Sequence, residues 1–357
     1  MTRLWKDKSD IVISLIGLMV IGAVLRLYNL GFQNMNYDEQ FTISFASPSF
    51  DIISLIIKSL SVDCNTPLYY IAAHFSMILF GSTAVAIRFP SVIFGILLIP
   101  VMYFIGEEYK DSLFGLLLSF SSTIMYTFVF YSKYGRSYSM ELLFFAITFY
   151  LFMRLVKERN RWEGLYFIIF ALLSVWTHLY AVFPIAIMIL YLVYLQRITY
   201  RHLIVFGICS LPLLNYIPLL LHTRNYSILS TSMYFGATLG EIFYLTPFDL
   251  FGYSAALMFP IVVWQLWKHK DEELSNIISL IFVVSWVSMI ILSFYTPIIL
   301  HYTLYLVPML LLPLLLPFYE QFDKEESSFY WVLVAFVILV LEATQLFFFY
   351  TIQRGLG

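Results

Sequence analysis

Long uninterrupted stretches of apolar residues constrain this chain more than any other feature. Blocks of about 17–22 apolar residues recur along the sequence, and an α-helix of that length spans the hydrocarbon core of a bilayer. Only 12% of the 357 residues are charged and 61% are hydrophobic, whereas a soluble domain is about 25% charged. The sequence therefore excludes a soluble enzyme, a nucleic-acid-binding protein and a disordered scaffold. It predicts an all-α, polytopic membrane protein.

The apolar blocks predict about eleven transmembrane helices in a single domain. No small-residue cleavage site follows the first block, so we expect a retained first span rather than a signal peptide. Residues 29–87 form a long first external loop, residues 88–221 the core spans and residues 222–357 a variable C-terminal part. The predicted spans cover residues 11–28, 88–105, 112–130, 138–153, 163–178, 180–196, 203–221, 250–267, 276–294, 302–318 and 329–350.

The apolar segment from Leu68 to Phe80 decides the topology, because it is short for a span. If it lies flat outside the membrane, 13 of the 20 Lys and Arg residues are cytoplasmic; if it spans, the cytoplasmic count falls to 8. Cytoplasmic loops are enriched in Lys and Arg. We therefore expect this segment and Ile52–Leu60 to be interfacial helices of the external loop. The N-terminus is then cytoplasmic, and the chemistry lies on the outer face of a cell membrane.

Polar residues collect in the outer segments. Asp38 and Glu39 open the first external loop, where two adjacent carboxylates suit general-base or metal chemistry; a solvated loop with incidental acids is the alternative. Residues 131–138 join the cations Lys133 and Arg136 with hydroxyls and a glycine. That combination suits an anionic phosphate, and anchoring at the membrane interface is the alternative.

Four other residues are candidates, each with a plainer interpretation beside it. Arg88 at the outer end of the second span suits a phosphate or a snorkelling arginine. His178 and His301 end spans on the same side, which suits interfacial histidines or, beside the carboxylates, a metal ion. Asn65 precedes Pro67, and this pattern also predicts a helix start.

The order of these motifs resembles that of the GT-C membrane glycosyltransferases, in the branch of protein O-mannosyltransferases and lipid A aminoarabinose transferases. The resemblance covers about residues 20–190. The matching residues are Leu25-Arg26-Leu27, Asp38-Glu39, Pro67-Leu68-Tyr69-Tyr70, Ala86-Ile87-Arg88-Phe89-Pro90-Ser91 with Gly95, and the set Tyr131, Ser132, Arg136 and Tyr138. The sequence departs from the family where Asn65-Thr66-Pro67 replace His-Pro-Pro, Tyr134 replaces an acid, and His301-Tyr302 replace a late Arg-Tyr pair. No luminal C-terminal domain is expected after the last span.

The resemblance implies a sugar donor on a polyprenyl phosphate, an inverting transfer and a site at the first external loop. Asp38 would deprotonate the acceptor hydroxyl, and Glu39 would orient the acceptor or help to bind a divalent ion. Arg136 and Lys133, with Arg88, would stabilise the leaving phosphate. The remaining substrate-binding candidates are Tyr131, Tyr138, Asn65, His178 and His301. The acceptor is a protein, a lipid or a glycan, no nucleic acid takes part, and a divalent metal ion is the one cofactor considered.

A transporter or flippase of lipid-linked saccharide is the alternative function, and a non-catalytic structural subunit is a third. Transporters place charges near the bilayer midplane on broken helices, often in paired repeats. Here Glu342 and, less deeply, Glu141 lie within predicted spans, while the other candidates belong to one face. Convergence of Asp38, Lys133 and Arg136 in one site would favour the enzyme.

Overall fold

The computed structural model describes residues 8–62, 66–216, 250–293, 300–322 and 329–355. Over these ranges the secondary structure is helical, and no strand occurs in them. The α-helices are α1 Lys8–Leu27, α2 Tyr37–Phe45, α3 Ile52–Val62, α4 Pro67–Phe80, α5 Ala84–Tyr109, α6 Ser112–Ile124, α7 Tyr126–Ser132, α8 Tyr138–Lys157, α9 Arg161–Thr177, α10 Val182–Tyr194, α11 Tyr200–Ser210, α12 Ala255–Lys268, α13 Glu273–Ser293, α14 Val307–Phe322 and α15 Phe329–Gly355. Short 3-10 segments lie at Leu179–Ala181, Leu211–Asn215, Gly252–Ser254 and Leu300–Leu306.

Within the described ranges, six segments are long and apolar enough to cross a membrane. They are Lys8–Leu27, Ala84–Tyr109, Tyr138–Lys157, Glu273–Leu292, Tyr302–Gln321 and Tyr330–Thr351. The helices α6 and α7 pass the same test only as a pair, which is bent by 55°. The all-helical polytopic fold is thereby confirmed. The count of eleven spans stays a prediction, because other apolar helices are shorter and the predicted span 203–221 runs beyond the described residues.

Both helices predicted in the first external loop are present. Thr66 occupies the N-cap of α4 in extended conformation, and Pro67 follows at its first position, where proline needs no hydrogen-bonded N–H. With 14 residues, α4 is about 21 Å long at 1.5 Å per residue, shorter than the ~30 Å hydrocarbon core. Its position relative to the membrane stays a prediction.

The helix α5 starts four residues before the predicted span, at Ala84. The hydroxyl of Thr83 accepts a hydrogen bond from the N–H of Ala86 and so caps it. Arg88 consequently lies one turn inside the helix, and its side chain is buried rather than at the surface.

The helix α5 lies at the centre of the N-terminal half, packed against α1, α4, α6 and α8. The helices α1 and α15 are mostly exposed on the protein surface, as expected for helices that face lipid. They meet at their C-terminal ends, where the Tyr350 hydroxyl donates to the carbonyl of Leu25. The first and last described helices therefore close the bundle beside the 133–137 loop.

Candidate active site

The two adjacent acids of the first external loop lie in the first turn of α2. Asn36 is its N-cap: its side chain accepts from the Glu39 N–H at 2.9 Å, and its own N–H donates to Glu39 Oε2 at 3.3 Å. This capping box is what an Asn followed three residues later by Glu predicts. It places Asp38 and Glu39 at the positive end of the helix dipole, where negative charge is stabilised.

Glu39 is held by Arg88 in a buried bidentate ion pair. Arg88 Nε donates to Oε1 and Nη2 to Oε2, each at 2.7 Å, and the two side chains are 2% and 1% exposed. The backbone N–H of Gly135 also donates to Oε1, at 2.8 Å. With the Asn36 N–H, four donors surround this carboxylate. Its geometry suits a structural anchor between α2, α5 and the 133–137 loop.

The remaining donors of Arg88 hold the segment that leads into α2. Nη1 donates to the carbonyls of Leu30 and Gln33 at 2.8 and 3.1 Å, and Nη2 donates to that of Asn34 at 3.4 Å. All five N–H groups of this guanidinium therefore have protein acceptors. The geometry favours positioning of the loop over direct binding of a phosphate by Arg88.

Asp38 has a different environment from its neighbour. Its side chain is half-buried, and the Tyr134 hydroxyl approaches its Oδ2 at 3.4 Å. Burial, followed by the negative charge of Asp38, raises the pKa of the Tyr134 phenol, so this hydroxyl stays protonated and remains a donor. Asp38 is thus the acid of the pair whose carboxylate is left accessible to a substrate.

Arg136 reaches the same place from the 133–137 loop. Its Nη1 donates to the Tyr70 hydroxyl at 3.2 Å and lies 3.5 Å from the backbone carbonyl of Asp38. The backbone carbonyl of Arg136 accepts a hydrogen bond from the Ser91 hydroxyl at 3.0 Å. The backbone carbonyl of Gly135 accepts one from the Thr42 hydroxyl at 2.9 Å. The loop is therefore fastened to α2, α4 and α5, with the cation of Arg136 beside Asp38.

Lys133 has a separate set of partners. Its ammonium donates to the carbonyl of Tyr28 at the end of α1 and lies over the rings of Tyr350 and Phe349, 4.5 and 5.3 Å from their centroids. Burial, followed by the positive charge of Arg88, lowers the pKa of Lys133 to about 8. The two cations of the loop thus contact different partners: Arg136 contacts α2 and α4, and Lys133 contacts α1 and α15.

The predicted substrate-binding residues Tyr131, Tyr138 and His178 form one buried aromatic layer. The rings of Tyr131 and Tyr138 are 5.1 Å apart, and that of Tyr138 is 6.4 Å from His178. The ring of Tyr134 lies 5.9 Å from Tyr138 and connects this layer to Asp38. This aromatic layer therefore lies next to Asp38 and Arg136.

The other two predicted substrate-binding residues are Asn65 and His301. Asn65 lies outside the described residues. The backbone of His301 belongs to the 3-10 segment Leu300–Leu306, next to Tyr302, whose ring is 4.9 Å from that of His178. No three His, Cys, Asp or Glu side chains come together in the described ranges in a way that could hold a metal ion.

Three side chains of the site carry no chemical signature in the sequence. Tyr70 contacts Arg136, and Thr42 and Ser91 fasten the loop backbone. Tyr70 belongs to the Pro67–Tyr70 motif and is selected by that resemblance alone. Thr42 lies one turn after Asp38 on α2, which is the only sequence signal for its position.

Comparison with known proteins gives one match in sequence and one in fold. Residues 65–222 match the model of the dolichyl-phosphate-mannose-protein mannosyltransferase family. The structure resembles that of the archaeal oligosaccharyltransferase AglB from Archaeoglobus fulgidus, solved in complex with an inhibitory peptide and a dolichol-phosphate, with a TM-score of 0.56 and 13% identity. Both matched proteins are GT-C glycosyltransferases, so the chain is similar to this superfamily in part of its sequence and in its fold.

The matches with GT-C proteins differ in extent. The AglB alignment covers 96% of this chain but 55% of that protein, so the chain spans about half the length of that relative. The family-model match includes Arg88, the 133–137 loop and His178, and it begins after Asp38 and Glu39. Comparison with curated proteins gives no match.

Proposed function

We propose that this chain is a membrane glycosyltransferase, which moves a hexose or pentose from a polyprenyl-phosphate donor to an acceptor hydroxyl at the extracytoplasmic face, with inversion. The observation that carries the proposal is the juxtaposition of Asp38 and Arg136. The buried guanidinium of Arg136 lies 3.5 Å from the backbone carbonyl of Asp38, whose half-buried carboxylate is next to Tyr134 and the layer of aromatic rings. The family-model match and the complex of AglB with a dolichol-phosphate support the donor class.

The proposed reaction uses each of these groups once. The acceptor oxygen attacks C1 of the sugar from the face opposite the phosphate, and Asp38 takes the hydroxyl proton. The bond between C1 and the phosphate oxygen breaks, and its electron pair leaves with the polyprenyl phosphate. Arg136 stabilises the charge that develops on that phosphate. Glu39 and Arg88 hold the two reacting groups in position.

The acceptor in this proposal is a protein, a lipid or a glycan hydroxyl. The AglB structure was solved with a peptide, which supports a protein acceptor. The test uses purified protein in liposomes with a panel of radiolabelled sugars on polyprenyl phosphate and membrane extract as the acceptor source. Release of free polyprenyl phosphate is measured, because it forms with every acceptor. No release above background from any donor by folded protein would contradict the proposal.

The proposed outer location of the site depends on the orientation of α4. Single cysteines at the exposed positions Ser61 and Ser82, in a chain whose own cysteines are replaced by serine, are expected to react with an impermeant reagent from outside. Reaction of the two positions from opposite sides would mean that α4 spans the membrane and that the site is divided between two faces.

A transporter or flippase of lipid-linked saccharide remains the second candidate, because α6 and α7 form a broken membrane helix, a feature of transporters. The two are separated by an assay in liposomes. A flippase would move a fluorescent polyprenyl-phosphate sugar across the bilayer with Asp38→Asn as well as with the native chain, whereas a glycosyltransferase would lose transfer in that variant.

A further inference from the structure

The break between α6 and α7 exposes backbone groups that an unbroken helix would pair. Met125 is in extended conformation between the two helices, and the helix axis turns by 55° there. The last carbonyls of α6 and the first N–H groups of α7 then have no helical partners. In a bilayer such groups must be satisfied within the protein.

Arg26 of α1 satisfies the carbonyl side of the break. Its Nη2 donates to the carbonyl of Ser122 at 2.9 Å and its Nη1 to that of Thr123 at 3.2 Å. Its Nε donates to the hydroxyl of Ser132, at the end of α7, at 3.1 Å. The side chain is fully buried. A cation at the C-terminus of α6 also has the sign that the helix dipole favours.

Glu342 of α15 satisfies the N–H side. Its Oε2 accepts from the N–H of Tyr126 at 2.7 Å, and its Oε1 accepts from the hydroxyl of Ser254. Its side chain is 4% exposed. An anion at the first N–H of α7 again has the sign that the dipole favours. Two buried charges on two different helices therefore hold the two sides of one break.

The position of α7 determines the position of the candidate site. Ser132 ends α7, and the 133–137 loop with Arg136 follows directly. A rotation of α7 about Met125 would withdraw the N–H of Gly135 from Glu39 and the guanidinium of Arg136 from Asp38 and Tyr70.

We propose that Arg26 and Glu342 are positioning residues, which fix the bend at Met125 and thereby set Arg136 against Asp38. The effect of this geometry on catalysis rests on the proposed function. The role of the two residues in fixing the bend does not rest on it, so the bend and the catalytic effect are tested by different measurements.

The first measurement needs no substrate. Hydrogen–deuterium exchange of the Tyr126 amide and labelling of Lys133 by a water-soluble amine reagent are compared in the purified native chain, Glu342→Ala, Glu342→Gln and Thr344→Ala. Loss of a charge-assisted hydrogen bond is expected to speed exchange of this amide by about ten-fold or more in Glu342→Ala. Labelling of the buried Lys133 should rise in the same variant.

Two of these variants serve as controls. Glu342→Gln keeps one oxygen that accepts from the Tyr126 N–H, so it should restore most of the protection. Thr344 lies on the same helix and is exposed, so Thr344→Ala should match the native chain. Unchanged exchange at Tyr126 in Glu342→Ala would overturn the role of Glu342 in holding the bend. Exchange that rises while Lys133 labelling stays constant would overturn its role in placing the loop.

The second measurement concerns catalysis and uses Glu342→Ala with the same donor panel, with Glu342→Gln as the control that should keep a near-native KM. A displaced Arg136 should raise the KM for the lipid-phosphate sugar more than it lowers kcat. An unchanged KM together with raised Lys133 labelling would overturn the link to the donor site. If the native chain itself transfers no sugar, the proposed function fails, and the exchange and labelling results still decide whether Glu342 fixes the bend.

Discussion

Arg88 and Glu39 are joined by two parallel hydrogen bonds of 2.7 Å in a buried pair, and this pairing distinguishes the two adjacent acids of the first external loop. The Glu39 carboxylate receives donors from α5, from the N-cap of α2 and from the 133–137 loop. The Asp38 carboxylate, one residue earlier, is half-buried and close to one phenol. Two neighbouring carboxylates thus have different environments: Glu39 is a buried structural anchor, and Asp38 is accessible to a substrate.

Asp38→Asn is expected to abolish sugar transfer while binding of the lipid donor persists. The amide keeps the size and the hydrogen bonds of the carboxylate but cannot accept the proton of the acceptor. Single-turnover transfer and donor binding are measured together. Asp51→Asn is the matched control, because Asp51 is an exposed acid that caps α3 in the same loop. Full turnover by Asp38→Asn would mean that the base lies elsewhere.

Arg88→Ala is expected to lower the free energy of unfolding by about 3–5 kcal/mol, because it leaves the buried carboxylate of Glu39 without its cation. Arg154→Ala, which removes an ion pair with Glu163 at the surface, should cost about 1 kcal/mol or less. Denaturant unfolding in detergent gives both values. Equal losses in the two variants would show that the Arg88 pair is as weakly coupled to folding as a surface pair.

Lys133 should make stability depend on pH in the alkaline range. Burial lowers its pKa to about 8 in the folded chain, whereas an unfolded lysine titrates at about 10.4. Between these values the unfolded chain binds a proton that the folded chain does not, so stability should rise with pH across this window. The rise should be smaller in Lys133→Met and retained in Lys157→Met, when midpoints of unfolding are compared from pH 7 to 10.

Gly135→Ala is expected to displace the 133–137 loop. A Cβ at this position would lie 2.8 Å from Ile87 Cδ1 and 3.1 Å from Glu39 Oε1, and such crowding costs about 1–3 kcal/mol. Transfer should fall with stability. Gly17→Ala on the exposed side of α1 has no atom of the described residues within 4 Å of the added Cβ and should be neutral or slightly stabilising. A Gly135→Ala protein with native activity would show that the loop tolerates displacement from Glu39.

The two buried glutamates of the predicted spans should respond oppositely to leucine. Among the described residues, no hydrogen-bond donor reaches the oxygens of Glu141, and Oε1 is 3.5 Å from His178 Nδ1. Since an unsatisfied buried polar group costs about 1–3 kcal/mol, Glu141→Leu is expected to raise the midpoint of thermal unfolding. Glu342→Leu should lower it, because both oxygens of Glu342 accept hydrogen bonds. A lower midpoint for Glu141→Leu would point to an interaction that Glu141 makes with His178.

The helices of this chain could be predicted from the sequence because their signals are local. Apolar length located the six span-length helices of the described ranges, and Thr66 with Pro67 located the start of α4. The capping pattern of Asn36 and Glu39 is also a local signal. The role of Glu39 in the site depends on residues that are distant in the sequence. Glu39 is paired by residues 49 and 96 positions away, and no spacing within the sequence indicates such partners.

The different partners of Lys133 and Arg136 could not be predicted for the same reason. Two cations in one loop suggest that both bind the same anion. The loop turns between them, however, and the Lys133 ammonium packs against aromatic rings of α15. The break at Met125 was equally hidden, since residues 121–125 contain neither proline nor glycine. The side chains that satisfy its backbone groups, Arg26 and Glu342, come from distant parts of the chain.

The anchoring of α7 by α15 also sets an order of events during biosynthesis. Tyr126 precedes Glu342 by 216 residues, so a ribosome must insert nearly the whole chain before the acceptor for that N–H exists. Until then, Arg26 holds the carbonyl side of the break before α7, but Glu342 does not yet hold the N–H side. On the proposed function, sugar transfer is therefore expected only after the helix that carries Glu342 has entered the membrane.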